Sequence, residues 1–205
     1  CYATSGTAGN YVYGVDEFIA KNGSAVGYST ETLKVDSAWS SYSFGDAIDG
    51  ETGYYYGINA FSSLNDALAQ KTAGTQTITT LSAIEETSDG GYALLGDLTL
   101  GGEKITYSGA SLTFLGGGVN ATLTVNADMA LTTNSSGLLG VSYDGRPMTV
   151  KINSDVRAYI YYAYTGSTTI VNESGKLFAT GEQLLARGTG TTITYNGNAA
   201  VGAAF

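Results

Sequence analysis

The sequence predicts an all-β chain folded as a parallel β-solenoid, a right-handed β-helix, with a short N-terminal capping helix. Three observations carry that expectation. From Lys71 onward, short runs of β-branched residues recur between turns of Gly, Asn and Asp. The runs return at intervals of about one coil without a strict period, as stacked units that cannot bury a core alone would do. One segment with helical periodicity stands directly before them, where it can close the first coil. An antiparallel β-sandwich, which also sets turn signals every roughly 8 to 12 residues, is the alternative.

The chain divides into an N-terminal strand and cap region (1–53), a capping-helix segment (54–71) and the solenoid (72–205). Within the first part, Tyr11-Val12-Tyr13-Gly14-Val15-Asp16-Glu17-Phe18 returns as Tyr54-Tyr55-Tyr56-Gly57-Ile58-Asn59-Ala60-Phe61. That repetition reads either as a duplicated cap or as coincidence in a Tyr- and Gly-rich chain. In the next segment Phe61, Leu64 and Leu68 fall on one helical face. Ser62 or Ser63 can cap the helix, and Asp66 lies near the positive end of its dipole. The clearest strands beyond it are 76–80, 104–107, 122–125, 148–152, 167–171 and 191–195, with Ile78, Ile105, Leu123, Val150, Ile170 and Ile193 as equivalent inward positions. Segments 92–95, 98–100, 111–115 and 176–179 fit between them as second and third strands, and Gly116-Gly117-Gly118 fits a tight corner.

Composition removes several classes of function. With 43% hydrophobic and only 13% charged residues the chain can bury a core, so it is not a disordered polymer. Nine Lys and Arg stand against 18 Asp and Glu, and a net charge of -9 repels a nucleic-acid backbone. No apolar run is long enough to cross a membrane as a helix. Without a single His, neither a Ser-His-Asp triad nor a His-ligated metal can be built, and one Cys excludes thiolate clusters. Low charge with polarity carried by Ser, Thr, Gly, Asn and Tyr is the composition of a secreted or cell-surface protein.

The run Val35-Asp36-Ser37-Ala38-Trp39, Phe44-Gly45-Asp46, Tyr56-Gly57-Ile58-Asn59-Ala60-Phe61 and Leu64-Asn65-Asp66-Ala67-Leu68 resembles the leader of right-handed β-helix passenger segments in bacterial surface proteins of the autotransporter and adhesin type. The resemblance spans roughly residues 35–205. It implies an extracellular, non-enzymatic structural protein: a self-associating fibre or surface-layer subunit, or an adhesin-like stalk module. Such passengers are commonly much longer, and no membrane barrel follows within this sequence.

Candidate sites are few. Tyr159 and Tyr161, with Ala163, alternate onto one side of a strand and would offer an aromatic platform for a surface glycan or another subunit. The plain alternative is a cross-coil stack that only stabilises the ladder. Asp46, Asp49 and Glu51 are weak candidates for calcium, whose reading as a solvated acidic loop is the safer one. Asp128, Asp144 and Asp155 could line one face, with Arg157 or Lys151 as a basic partner, in a carbohydrate-binding or polysaccharide-cleaving β-helix such as a lyase or glycosidase. Turn aspartates that cap backbone groups explain the same residues more simply. Sequons stand at Asn22, Asn120, Asn134 and Asn172.

Both ends suggest partners. Cys1 as the first residue fits a lipoprotein anchor as well as an accidental boundary. The small, apolar segment 199–205 would leave strand edges to be covered by further coils, a second copy stacked end to end, or a partner's strand. No other cofactor is expected.

Overall fold

The computed structural model describes residues 31–70, 74–116, 121–132, 138–141, 148–163, 168–172, 176–186, 192–195 and 200–202. Side chains are described for residues 31–70, 74–114, 121–132 and 149–157.

Alternation of apolar and polar residues, read at a period of two, sorts the rungs into parallel sheets. One face holds β1 (Thr32–Val35), β3 (Gln76–Thr80), β6 (Leu98–Gly102), β9 (Ala121–Val125), β12 (Met148–Ile152), β14 (Thr168–Asn172) and β16 (Thr192–Tyr195) in that order. At its N-terminal edge β2 (Ala60–Phe61) pairs with β1. The second face holds β4 (Ile84–Glu86), β7 (Ile105–Tyr107), β10 (Met129–Leu131), the first part of β13 (Val156–Ala163), the first part of β15 (Lys176–Ala186) and β17 (Ala200–Gly202). The third face holds β5 (Gly90–Leu94), β8 (Leu112–Gly116), β11 (Leu138–Val141) and the remainders of β13 and β15. Every ladder between these strands is parallel, so the chain is a parallel β-solenoid and not an antiparallel sandwich.

Register corrects two of the inward positions expected from sequence. Leu123, Val150, Ile170 and Ile193 do stand in one column, but Leu98 and Gln76 complete it. Ile78 belongs to the neighbouring column with Leu100 and Val125. Ile105 lies on the second face, between Ile84 and Met129. Coils of unequal length make such a shift invisible to spacing alone, because a rung can be lengthened at any corner.

The interior is one continuous cluster, chiefly of Leu, Ile and Val, from Leu33 to Val156, with Tyr92, Tyr107 and Phe114 among its members. Burying each such side chain contributes roughly 1.5–3 kcal/mol, which offsets the cost of ordering the rungs. Corners are held by short polar side chains. Thr80 Oγ1 donates to the carbonyl of Glu103 at 2.6 Å, and Ser154 Oγ to that of Ala127 at 2.7 Å. Asp89 Oδ1 accepts from Ser111 N–H and Asp97 Oδ1 from Thr122 N–H, both at 2.7 Å, so each turn aspartate captures a donor of the next coil.

At the N-terminal side the single α-helix among the described residues, α1 (Leu64–Leu68), buries Leu64, Ala67 and Leu68 against the core. Five residues cannot hold a helix by themselves. Ser63 caps it, accepting from Asp66 N–H at 3.3 Å, as one of the two expected serines. Glu86, buried on the second face, sets Oε1 against its start and accepts from Leu64 N–H (2.5 Å), Ser63 Oγ–H (2.9 Å) and Asn65 N–H (3.2 Å). A carboxylate there satisfies orphan donors and meets the positive end of the short dipole. Beside it Tyr107 donates to Asn65 Oδ1 at 2.7 Å. Burial first, and the Glu86 charge second, push the Tyr107 phenol well above its ordinary range.

β1 belongs to the solenoid sheet although it precedes residue 54. Between β1 and β2 the chain forms a small second core of Trp39, Ile48 and Ala60, flanked by Tyr42, Tyr54 and Tyr56. A 3-10 helix (Ser37–Ser41), capped by Asp36, places Trp39 there.

Two outcomes follow for stability. Gly102 has φ +97° and a Cβ on it would meet Thr80 backbone N and C at 2.8 and 2.9 Å; Gly102→Ala should therefore cost at least about 2 kcal/mol, read as a lower thermal midpoint by circular dichroism. Tyr107 is favoured neutral in the fold, so its contribution is complete below about pH 10, the ordinary phenol value, and is lost as pH rises past it. Tyr107→Phe should cost about 1 kcal/mol at neutral pH and flatten the alkaline loss of stability, measured as unfolding midpoints between about pH 8 and 11.5.

Candidate functional site

A groove of about 290 Å³ lies on the outer side of the second face. It is lined by Lys104, Asp128, Met129, Ala130, Thr132, Asp155 and Arg157. Its origin lies in the register. Ile105, Met129 and Val156 are laddered, so the residues before them, Lys104, Asp128 and Asp155, rise in one column at about one strand spacing, ~4.8 Å. Two residues further on, Ala130 stands beside Arg157. The small side chain of Ala130 leaves the hollow, and Met129, 2% exposed, lies beneath it.

The groove carries two carboxylates and two cations. Lys104, Asp128, Asp155 and Arg157 are all exposed at its rim. Asp128 Oδ1 accepts the backbone N–H of Asp155 at 3.0 Å, while Met129 N–H donates to the Asp155 carbonyl at 2.9 Å. Asp128 thus works as a turn cap, the simpler of the two roles open to it from sequence. Glycoside hydrolysis sets its two acids on opposite sides of the sugar. Here both aspartates occupy the same column, one coil apart.

Of the sequence candidates, Asp128, Asp155 and Arg157 are brought together; Lys151 is not, because it points outward from the first face. Asp144 lies outside the described residues. Lys104, Ala130 and Thr132 were not singled out from sequence, since only the coil register reveals that they neighbour Asp155. Tyr161 pairs with Leu139 and Leu184 on the third face, and its side chain lies outside the described ones, as does that of Tyr159. The register of β13 against β15 shifts between Ala158 and Ile160, at the passage from the second face to the third.

Asp46, Asp49 and Glu51 are spread over separate partners. Asp46 Oδ2 accepts from Ser43 N–H at 2.6 Å, Asp49 Oδ2 from Tyr42 Oη at 3.2 Å, and Glu51 pairs with Lys34. Lys34 Nζ also sits 4.2 Å from the centroid of the Tyr54 ring. No group of three or more His, Cys, Asp or Glu that could hold a metal occurs among the described residues. No described helix is long and apolar enough to cross a membrane. Cys1, Asn22, Asn120, Asn134 and the 11–18 copy of the tyrosine motif lie outside the described residues, as does the side chain of Asn172. The chain matches no family model, and no curated protein and no solved structure is significantly similar to it.

Proposed function

We propose that this chain is a non-enzymatic structural module of a secreted or cell-surface protein, of the autotransporter and adhesin passenger type, that extends or associates through its ends. The observation that carries the reading is the asymmetry of the stack. At the N-terminal side α1 packs against the edge strands β2, β4 and β5, whereas no helix is found beside β16 or β17 among the described residues, although all five strands have a single ladder partner there. A strand paired on one side is a template for another rung, supplied by further chain or by a second copy. The sparse charge and the many outward Thr suit an extended surface stalk. Electron microscopy of the purified chain should show regular filaments or sheets; isolated short particles at every concentration would count against end-to-end association.

A second reading, a glycan-binding β-helix, rests on the groove between Lys104 and Arg157. Its paired charges and the Ala130 hollow would take polar or acidic sugar groups. On a glycan array the native chain should then retain an acidic or neutral polysaccharide, and Arg157→Ala should lower the affinity at least about tenfold. A reducing-end assay on the same polysaccharides separates binding from cleavage.

A further inference from the structure

Two Asp-Gly pairs have described side chains, Asp49-Gly50 and Asp89-Gly90, and the fold treats them differently. In this dipeptide the carboxyl is open to attack by the following amide, because glycine puts no side chain in the way. At Asp89 both reacting groups are held by one residue of the next coil. Ser111 N–H donates to Asp89 Oδ1 at 2.7 Å, and Gly90 N–H donates to the Ser111 carbonyl at 2.8 Å. Gly90 is buried in β5, and a Cβ placed on it would meet Tyr107 Oη at 2.7 Å, so the backbone there has no room to turn. Asp49-Gly50 forms the tip of turn 48–51, closed by Glu51 N–H donating to the Ile48 carbonyl at 3.1 Å. Both residues are exposed, Gly50 stands at φ +81°, and nothing lies within 4 Å of the place its Cβ would occupy. The Gly50 N–H has no hydrogen-bond partner among the described residues. Asp49 is held by Tyr42 alone, whose hydroxyl donates to Oδ2 at 3.2 Å and accepts the Asp49 N–H at 3.4 Å, both long contacts.

We infer that Asp49 is a site of spontaneous isoaspartate formation in the folded protein, and that the fold protects Asp89 from the same reaction. The Gly50 nitrogen loses its proton and attacks Asp49 Cγ. The N–Cγ bond forms and a Cγ–O bond breaks, which releases one water and leaves a five-membered succinimide. Water then adds back to one of the two imide carbonyls. Opening at the Cγ–N bond restores aspartate. Opening at the other C–N bond gives isoaspartate, in which the chain runs through Cβ and Cγ and the α-carboxylate hangs free. Water lost is water regained, so the reaction needs no oxidant and no cofactor. What it needs is rotation of the backbone at the turn. At Asp49 that rotation gives up the Ile48–Glu51 turn bond and the two long Tyr42 contacts, whereas at Asp89 it strips β5 from its ladder and opens the core around Gly90. The added backbone carbon falls beside Ile48, which bonds to the Tyr54 carbonyl at 3.0 Å and belongs to the small second core, not to the main stack.

The inference is independent of how copies associate and of what the groove binds. The folded chain, held for weeks at neutral pH near physiological temperature, should accumulate isoaspartate at residue 49 at least about tenfold faster than at residue 89. Peptide mapping with electron-transfer fragmentation assigns each site, and keeps residue 49 apart from Asp144-Gly145 and from the Asn-Gly pairs at Asn22 and Asn196. In concentrated urea residues 49 and 89 should isomerise at similar rates, because the dipeptide is the same and the fold alone separates them. Asp49→Glu, which would have to close a six-membered ring, should remove the signal at residue 49 while circular dichroism stays that of the native chain. Aged protein should exchange the Ile48 and Tyr54 amide hydrogens faster and keep those of the rungs unchanged. Equal rates at residues 49 and 89 in the folded chain overturn the inference, as does an Asp49 that isomerises in urea and not in the folded chain. Exchange that quickens equally in the rungs would overturn the confinement to the second core.

Discussion

Each inward side chain of this molecule rests on its equivalent in the next coil. Leu98 stands on Leu123, Leu123 on Val150, and Ile105 on Met129. A single coil has no far side to pack against, so its apolar residues are buried only by the rungs above and below. The consequence is a core that is strong along its length and exposed in principle at each end. Everything distinctive about the chain is a response to that geometry: how it closes one end, how it turns corners, and what it leaves on its outer faces.

Closure at the N-terminal side depends on a charge buried where few would be tolerated. Glu86 replaces solvent with three donors at the start of α1, and Tyr107 and Asn65 extend the set. Without them a five-residue helix would not hold its place, and Leu64 and Leu68 would not cover the rungs. Tyr92, whose hydroxyl lies 2.7 Å from Gln76 Oε1, brings a further buried polar group into the same end. The polar cost is concentrated at the cap so that the rungs beyond it remain largely apolar inside.

Corners and faces divide the remaining work. Aspartates sit at turns, where they collect backbone donors, and the same placement lifts Asp128 and Asp155 to the rim of a groove with Lys104 and Arg157. Threonines line the outer side of β3, β6 and β9, where β-branching suits the extended backbone and none of the outward strand residues is a carboxylate. One chain thus presents a charged, indented surface and a neutral, regular one, which suit different kinds of contact.

Much of this was legible in the residues themselves. Period-two runs such as Gln76–Thr80 and Thr122–Val125 specified strands, and the capped Leu64–Leu68 turn specified the helix, because each rests on local chemistry. Absent His and a lone Cys removed whole classes of chemistry by composition. What only the tertiary structure decided is who stands next to whom across coils. Ile105 moved to a different face, Gln76 joined the Leu98 column, and Lys104 became a neighbour of Asp155. Glu86 at the helix start, 22 residues from Leu64, was equally hidden. The physical reason is that coil length varies at the corners, so sequence distance does not report stacking, and contacts between rungs exist only once the register is set.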